Sequence, residues 1–298
     1  MATKKSASTA KKSPVKRKTT STAAKTTKAK ATPVAKTNVT TTTVKTSAAR
    51  SRSSKVFNFS RSPLLAASVA EFVGTFLLAA IILASSGSSI VALFGLTAIV
   101  LMVGTISGAY ANPALTVGAW VTRRISAVRA VSYLVAQVLG ALLALVVLNA
   151  FVQAAPEASS QMSMFGQQSA QVEVFKLSEI VKDKEWLFLA AELIGTAVFA
   201  FGVASTAREK SRMAAAFAVG GSLFVGLTIT GYLTGVVSGA QAGPAVLNPA
   251  VATALQGFAA TTWQNLWPLS VYLIAPAIGG VLGFALRDLI ASESEVKA

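Results

Sequence analysis

The sequence predicts an all-α membrane protein with six transmembrane helices plus two re-entrant half-helices, arranged as an inverted repeat. Three observations predict it. Six apolar stretches approach or exceed the ~20 residues a helix needs to cross a hydrocarbon core about 30 Å thick. Patterns from the first half of the apolar region return in the second, and each half has an odd number of stretches. The tripeptide Asn-Pro-Ala stands at Asn112, Pro113 and Ala114 and again at Asn248, Pro249 and Ala250, 136 residues later.

The apolar stretches run approximately over 64–85, 89–106, 127–151, 186–206, 213–233 and 267–290. Helices are expected because they satisfy every backbone group internally, and the stretches are too long and continuous for barrel strands. Arg123, Arg124 and Arg129 lie between the second and third spans, and Arg208, Lys210 and Arg212 between the fourth and fifth. The connections 86–88 and 234–266 carry no charge, and 152–185 carries more acid than base. The positive-inside rule therefore puts both termini and the arginine-bearing loops in the cytoplasm, in a plasma or inner membrane.

The repeat is legible residue by residue. "AEFVGTFLLAA" opens the first span and "AELIGTAVFAF" the fourth; "YLVAQVLGALLAL" lies in the third and "YLIAPAIGGVLGF" in the sixth. With three spans per half, the second half must be inverted relative to the first. Paired Pro-interrupted segments in an inverted repeat point to a transport site at the membrane midplane. The first repeat is placed at about 63–152 and the second at about 186–291, followed by a short cytoplasmic segment 292–298.

The formal net charge of +16 over 298 residues is unevenly spread. Residues 1–63 hold 16 of the 27 Lys and Arg and none of the 11 Asp and Glu, so the remainder is neutral. Residues 1–62, rich in Lys, Ala, Thr and Ser, have too few apolar side chains to repay the entropy of ordering and are read as a disordered tail. Anionic lipid at the inner membrane surface is its favoured contact, at about 1 kcal/mol per basic residue. Salt-sensitive nucleic-acid binding is less favoured, and a targeting or docking role completes the alternatives.

Cysteine and histidine are absent. Disulfides, thiolate metal sites and the commonest catalytic bases are thereby excluded, and the membrane part has no catalytic cluster. Neither an enzyme nor a bound cofactor or metal is expected.

Each Asn-Pro-Ala lies in a connection and is followed by an apolar helical pattern. Asn is a favoured N-cap, and Pro is favoured at the first helical position, where its missing N–H costs nothing. "NPALTVGAW" and "NPAVATALQG" are expected to form half-helices of about ten residues and ~15 Å. In an inverted repeat they enter from opposite faces and meet at their N-termini. Each Asn oxygen caps its own helix while the amide NH2 donates into the lumen. The summed helix-end charge opposes protons and cations.

On these motifs (AEFVGT, SGAYANPA, the Tyr-x-x-Ala-Gln-x-x-Gly of the third span, AELIGT and the second Asn-Pro-Ala) residues 64–290 closely resemble the aquaporin/aquaglyceroporin (major intrinsic protein) family. The resemblance implies three helices and one half-helix per repeat, a pore in each monomer and a homotetramer in the lipid bilayer. It also implies that Glu71 and Glu192, acids within the first and fourth spans, accept hydrogen bonds that hold the Asn-Pro-Ala loops. That role is preferred over proton relay, and Gln137 is expected to brace a loop too. Glycines 74, 140, 195, 279, 280 and 283 are expected to permit close helix packing.

The chain departs from the family at the pore mouth. Val251 stands where the family usually has Arg after the second Asn-Pro-Ala, and Tyr110 where His is frequent. The remaining filter positions are expected at Ala92, or at Phe94 if the helix is shifted, and at Gly231. The connection before the second Asn-Pro-Ala is about five residues longer than usual. A wide, apolar filter is expected to pass water and small neutral solutes such as glycerol, urea or ammonia. A junctional membrane tetramer with little flux and an ion- or weak-acid-conducting relative are the alternatives.

Overall fold

The computed structural model describes residues 63–154 and 175–296; the basic tail lies outside the described residues. The first repeat forms α1 (Pro63–Ala84), α2 (Ser89–Ser107), the half-helix α3 (Pro113–Val121) and α4 (Ala127–Gln153). The second forms α5 (Glu185–Ser205), continued by a 3-10 turn Thr206–Arg208, then α6 (Arg212–Ser238) and the half-helix α7 (Pro249–Ala254). It ends with α8, built as Trp267–Leu269, a π-helical turn Ser270–Ile274 and Ala275–Val296. Six of these helices are long and apolar enough to cross a membrane. Among the described residues there is no strand, only an isolated bridge between Thr262 and Asn265.

Local chemistry sets most of the ends. The Ser126 hydroxyl accepts from the Arg129 N–H and opens α4; the Ser211 hydroxyl accepts from the Ala214 N–H and opens α6. Both are serine N-caps. Gly108 (φ 98°) and Gly239 (φ 70°) close α2 and α6 in the left-handed region, which glycine adopts without a steric penalty.

Three bounds differ from expectation. Helix α6 runs to Ser238 rather than 233, and α8 continues to Val296 rather than ending at 290. Helix α7 has six residues rather than about ten. It stops because Gln256 turns left-handed (φ 57°) and the Gly257 N–H donates back to the Ala252 carbonyl, closing the helix end.

The two repeats interlock. Helix α1 packs on α4 and α5 on α8, the same pairing in each half; α3 lies against α8 of the other repeat and α7 against α4. The small-residue positions match across the repeat. A methyl on Gly140 would overlap the Phe72 carbonyl, and one on Gly279 would sit 2.5 Å from the Leu193 carbonyl oxygen. Close backbone approach of this kind drives helix association where lipid removes the hydrophobic incentive. The outer faces are apolar, with Val69, Met102, Val131, Leu139, Leu282 and Leu286 exposed, as a lipid-facing surface requires.

Candidate functional site

The half-helices meet through a reciprocal hydrogen-bond clasp. Asn112 is extended (φ −159°, ψ 119°) and caps α3, its Oδ1 accepting from the Ala114 N–H at 2.8 Å. Asn248 caps α7, its Oδ1 accepting from Ala250 (3.0 Å) and Val251 (3.3 Å). The Asn112 amide donates to the Leu247 carbonyl at 2.8 Å, and the Asn248 amide donates to the Ala111 carbonyl at 2.9 Å. The expectation that each NH2 serves the lumen is therefore corrected. One N–H of each amide goes to the opposite loop, and one is left to donate.

The backbone before each Asn is held in a conformation that L-residues avoid. Ala111 has φ 45° and Leu247 φ 57°, in the left-handed region that costs roughly 1–2 kcal/mol. That geometry lets the carbonyl face the opposite Asn while the N–H turns to a buried acid. Glu71 accepts from the Tyr110 N–H at 3.0 Å and the Ala111 N–H at 2.7 Å. Glu192 accepts from the Val246 and Leu247 N–H groups, both at 2.8 Å. Both carboxylates are fully enclosed, and such charge-assisted bonds are about twice as strong as neutral ones.

The halves differ in one respect. Gln137 donates a third bond to Glu71 at 2.7 Å and exchanges hydrogen bonds with Thr116. The repeat places Pro276 opposite Gln137, so Glu192 has no such donor. Pro276 also lacks the N–H that would bond to the Tyr272 carbonyl, and the π-helical turn Ser270–Ile274 ends two residues before it. The Tyr110 ring packs on Tyr133, 6.1 Å between centroids.

On the face opposite the arginine-bearing connections, a cavity of about 550 Å³ leads toward the clasp. Gly231 and Val251 are in its wall, joined by Ile82, Leu227, Lys176 and Gln241. Ala92 is fully buried and outside the lining, one helical turn beyond the lining residue Ser89. Phe94 is not in the wall either. It is 57% exposed and meets Phe217 edge-on, because two residues along a helix turn a side chain about 200° away. Position 94 is therefore withdrawn as a filter position.

The long connection before Asn248 is clamped onto the end of α6. The Gly243 N–H donates to the Gly231 carbonyl (2.8 Å), the Ala240 N–H to the Gly235 carbonyl (2.9 Å) and the Thr234 hydroxyl to the Pro244 carbonyl (2.9 Å). Two of these bonds, at Thr234 and Gly235, use the additional turn of α6, and Gln241 of this connection reaches the cavity. Lys176 and Gln241 escaped sequence reasoning because no motif marks them; they reach the wall through contacts distant in sequence.

The family profile described as Major intrinsic protein matches residues 58–286. The chain belongs to the major intrinsic protein family. It is an integral, multi-pass membrane channel for water or small solutes, a class of channels rather than enzymes. This major intrinsic protein is 28% identical over 203 residues to Aquaporin AqpM of Methanothermobacter marburgensis, covering 67% of this chain and 74% of the relative. It is 28% identical over 237 residues to glycerol uptake facilitator protein-like 6 of Lactiplantibacillus plantarum, covering 76% and 98%. The aquaglyceroporin of Plasmodium falciparum shares the fold at a TM-score of 0.55 and 19% identity, over 79% of this chain and all of that one.

Proposed function

We propose that the protein conducts water and small uncharged solutes passively, with glycerol, urea or ammonia passing beside water. The observation that carries this reading is the wall of the cavity above the clasp, where Val251 and Gly231 stand with no arginine among the lining residues. A site without a charged fork presents little steric or electrostatic selection against a polar solute larger than water. Relatives named as aquaporins and as a glycerol facilitator support the same range.

The two half-helix ends and the remaining amide donors of Asn112 and Asn248 orient passing solutes by their oxygen lone pairs. The arginine-bearing connections support cytoplasmic termini, and with them a cavity that opens outward. Four copies assemble in the bilayer, and the basic tail contacts anionic lipid in preference to nucleic acid. Stopped-flow light scattering on reconstituted vesicles tests the reading with water, glycerol and urea. Faster osmotic shrinkage and faster solute entry than in empty vesicles are expected; rates equal to those of empty vesicles would overturn it.

A further inference from the structure

Among the described residues, the wall of the outer cavity contains one charged residue, Lys176, and no Asp or Glu. Its place is fixed by the residues on either side. Phe175 and Leu177 both pack against the hydrophobic core. A methyl on Gly87 would come within 3.0 Å of the Phe175 ring, and one on Gly257 within 3.0 Å of Leu177. The Leu177 N–H donates to the Leu255 carbonyl at 3.2 Å, tying this segment to the residue that follows α7. Anchors at 175 and 177 hold the root of residue 176 at the mouth, although its side chain is exposed.

We propose that Lys176 is a specificity-determining residue that supplies the outer cation barrier of this channel, in place of an arginine at position 251. Val251 is uncharged and 1% exposed, so it adds no positive charge to the wall. A hydrated ammonium at the rim acts through space rather than by binding the solute. Its field reaches about 8 Å at physiological ionic strength and is focused by the low-dielectric walls of a cleft. Neutral solutes feel little of it. The extended connection contributes the neutral Gln241 to the same rim, leaving Lys176 as the sole charge in the wall among the described residues.

The proposal rests on the neutral-solute reading above, and the test separates the two. Urea and guanidinium are nearly equal in size and shape but differ in charge, so their flux ratio in vesicles containing the full chain reports charge selection. Lys176→Ala is expected to raise guanidinium entry about three- to tenfold and urea entry by less than about twofold. Lys176→Glu is expected to raise guanidinium further, and Lys176→Arg to match the wild type. Lys182→Ala removes the same charge from the same connection, outside the cavity wall, and is expected to change neither flux. An unchanged guanidinium-to-urea ratio in Lys176→Glu would overturn the proposal, as would an equal rise in Lys182→Ala. Wild-type vesicles that pass neither urea nor water would overturn the channel reading itself and the proposal with it.

Discussion

Replacing Glu192 by Ala removes the acceptor that holds the second Asn-Pro-Ala loop. The carboxylate is 1% exposed and takes two backbone N–H groups at 2.8 Å each, from Val246 and Leu247. Leaving two buried N–H groups unpaired costs roughly 1–3 kcal/mol each. The void left by the deleted side chain adds roughly another 1–2 kcal/mol. Against this, part of the several-kcal/mol desolvation of a buried carboxylate, on the order of 3 kcal/mol, is recovered. The net loss is about 3 kcal/mol. At ~2–4 °C per kcal/mol for domains of ~150–250 residues, the thermal midpoint should fall by about 6–12 °C. Glu192→Gln keeps one acceptor oxygen and should lose about half as much. Thermal unfolding of the purified protein in detergent, with water permeability measured in vesicles, checks both. A midpoint within about 1 °C of wild type and unchanged permeability in Glu192→Ala would refute the reasoning.

Two further outcomes are expected. Val251→Arg should reduce glycerol and urea passage more than water passage in stopped-flow assays; unchanged or increased glycerol flux would mean that position 251 does not set the filter. Gly279→Ala places a methyl 2.5 Å from the Leu193 carbonyl oxygen, whereas at Gly221 nothing lies within 4 Å. The first should therefore cost about 1–3 kcal/mol, while Gly221→Ala should be neutral or stabilising by up to ~1 kcal/mol. Thermal midpoints of the pair, read side by side, decide this.

Much of this arrangement is visible in the chain because the bilayer imposes its own spacing. Span lengths, the repeated Ala-Glu-x-x-Gly-Thr and the Asn-Pro starts follow from backbone satisfaction and capping, which are local. Glu71 and Glu192 are conspicuous because an ionisable group inside an apolar span needs a partner. The partners themselves are 39–40 and 54–55 residues away. Phe94 illustrates where pattern reasoning failed: counting along the sequence found an aromatic near the expected position but not the side of α2 it occupies. Likewise, nothing about "NPAVATALQG" announces that α7 ends after six residues; the turn at Gln256 and Gly257 is an ordinary sequence with a particular backbone.

The sequence by itself determined six crossings, their inverted pairing and a capping Asn at the start of each half-helix, since hydrocarbon tolerates few other solutions. Only the tertiary structure decided that each Asn amide donates to the carbonyl of the opposite loop. It also decided that Ala111 and Leu247, in left-handed backbone, turn their N–H groups to buried acids, and that Lys176 lines the same cavity as Val251. These are contacts between segments far apart in sequence. Which atoms meet there depends on loop lengths and helix rotations summed over the whole fold, and no local preference encodes that sum.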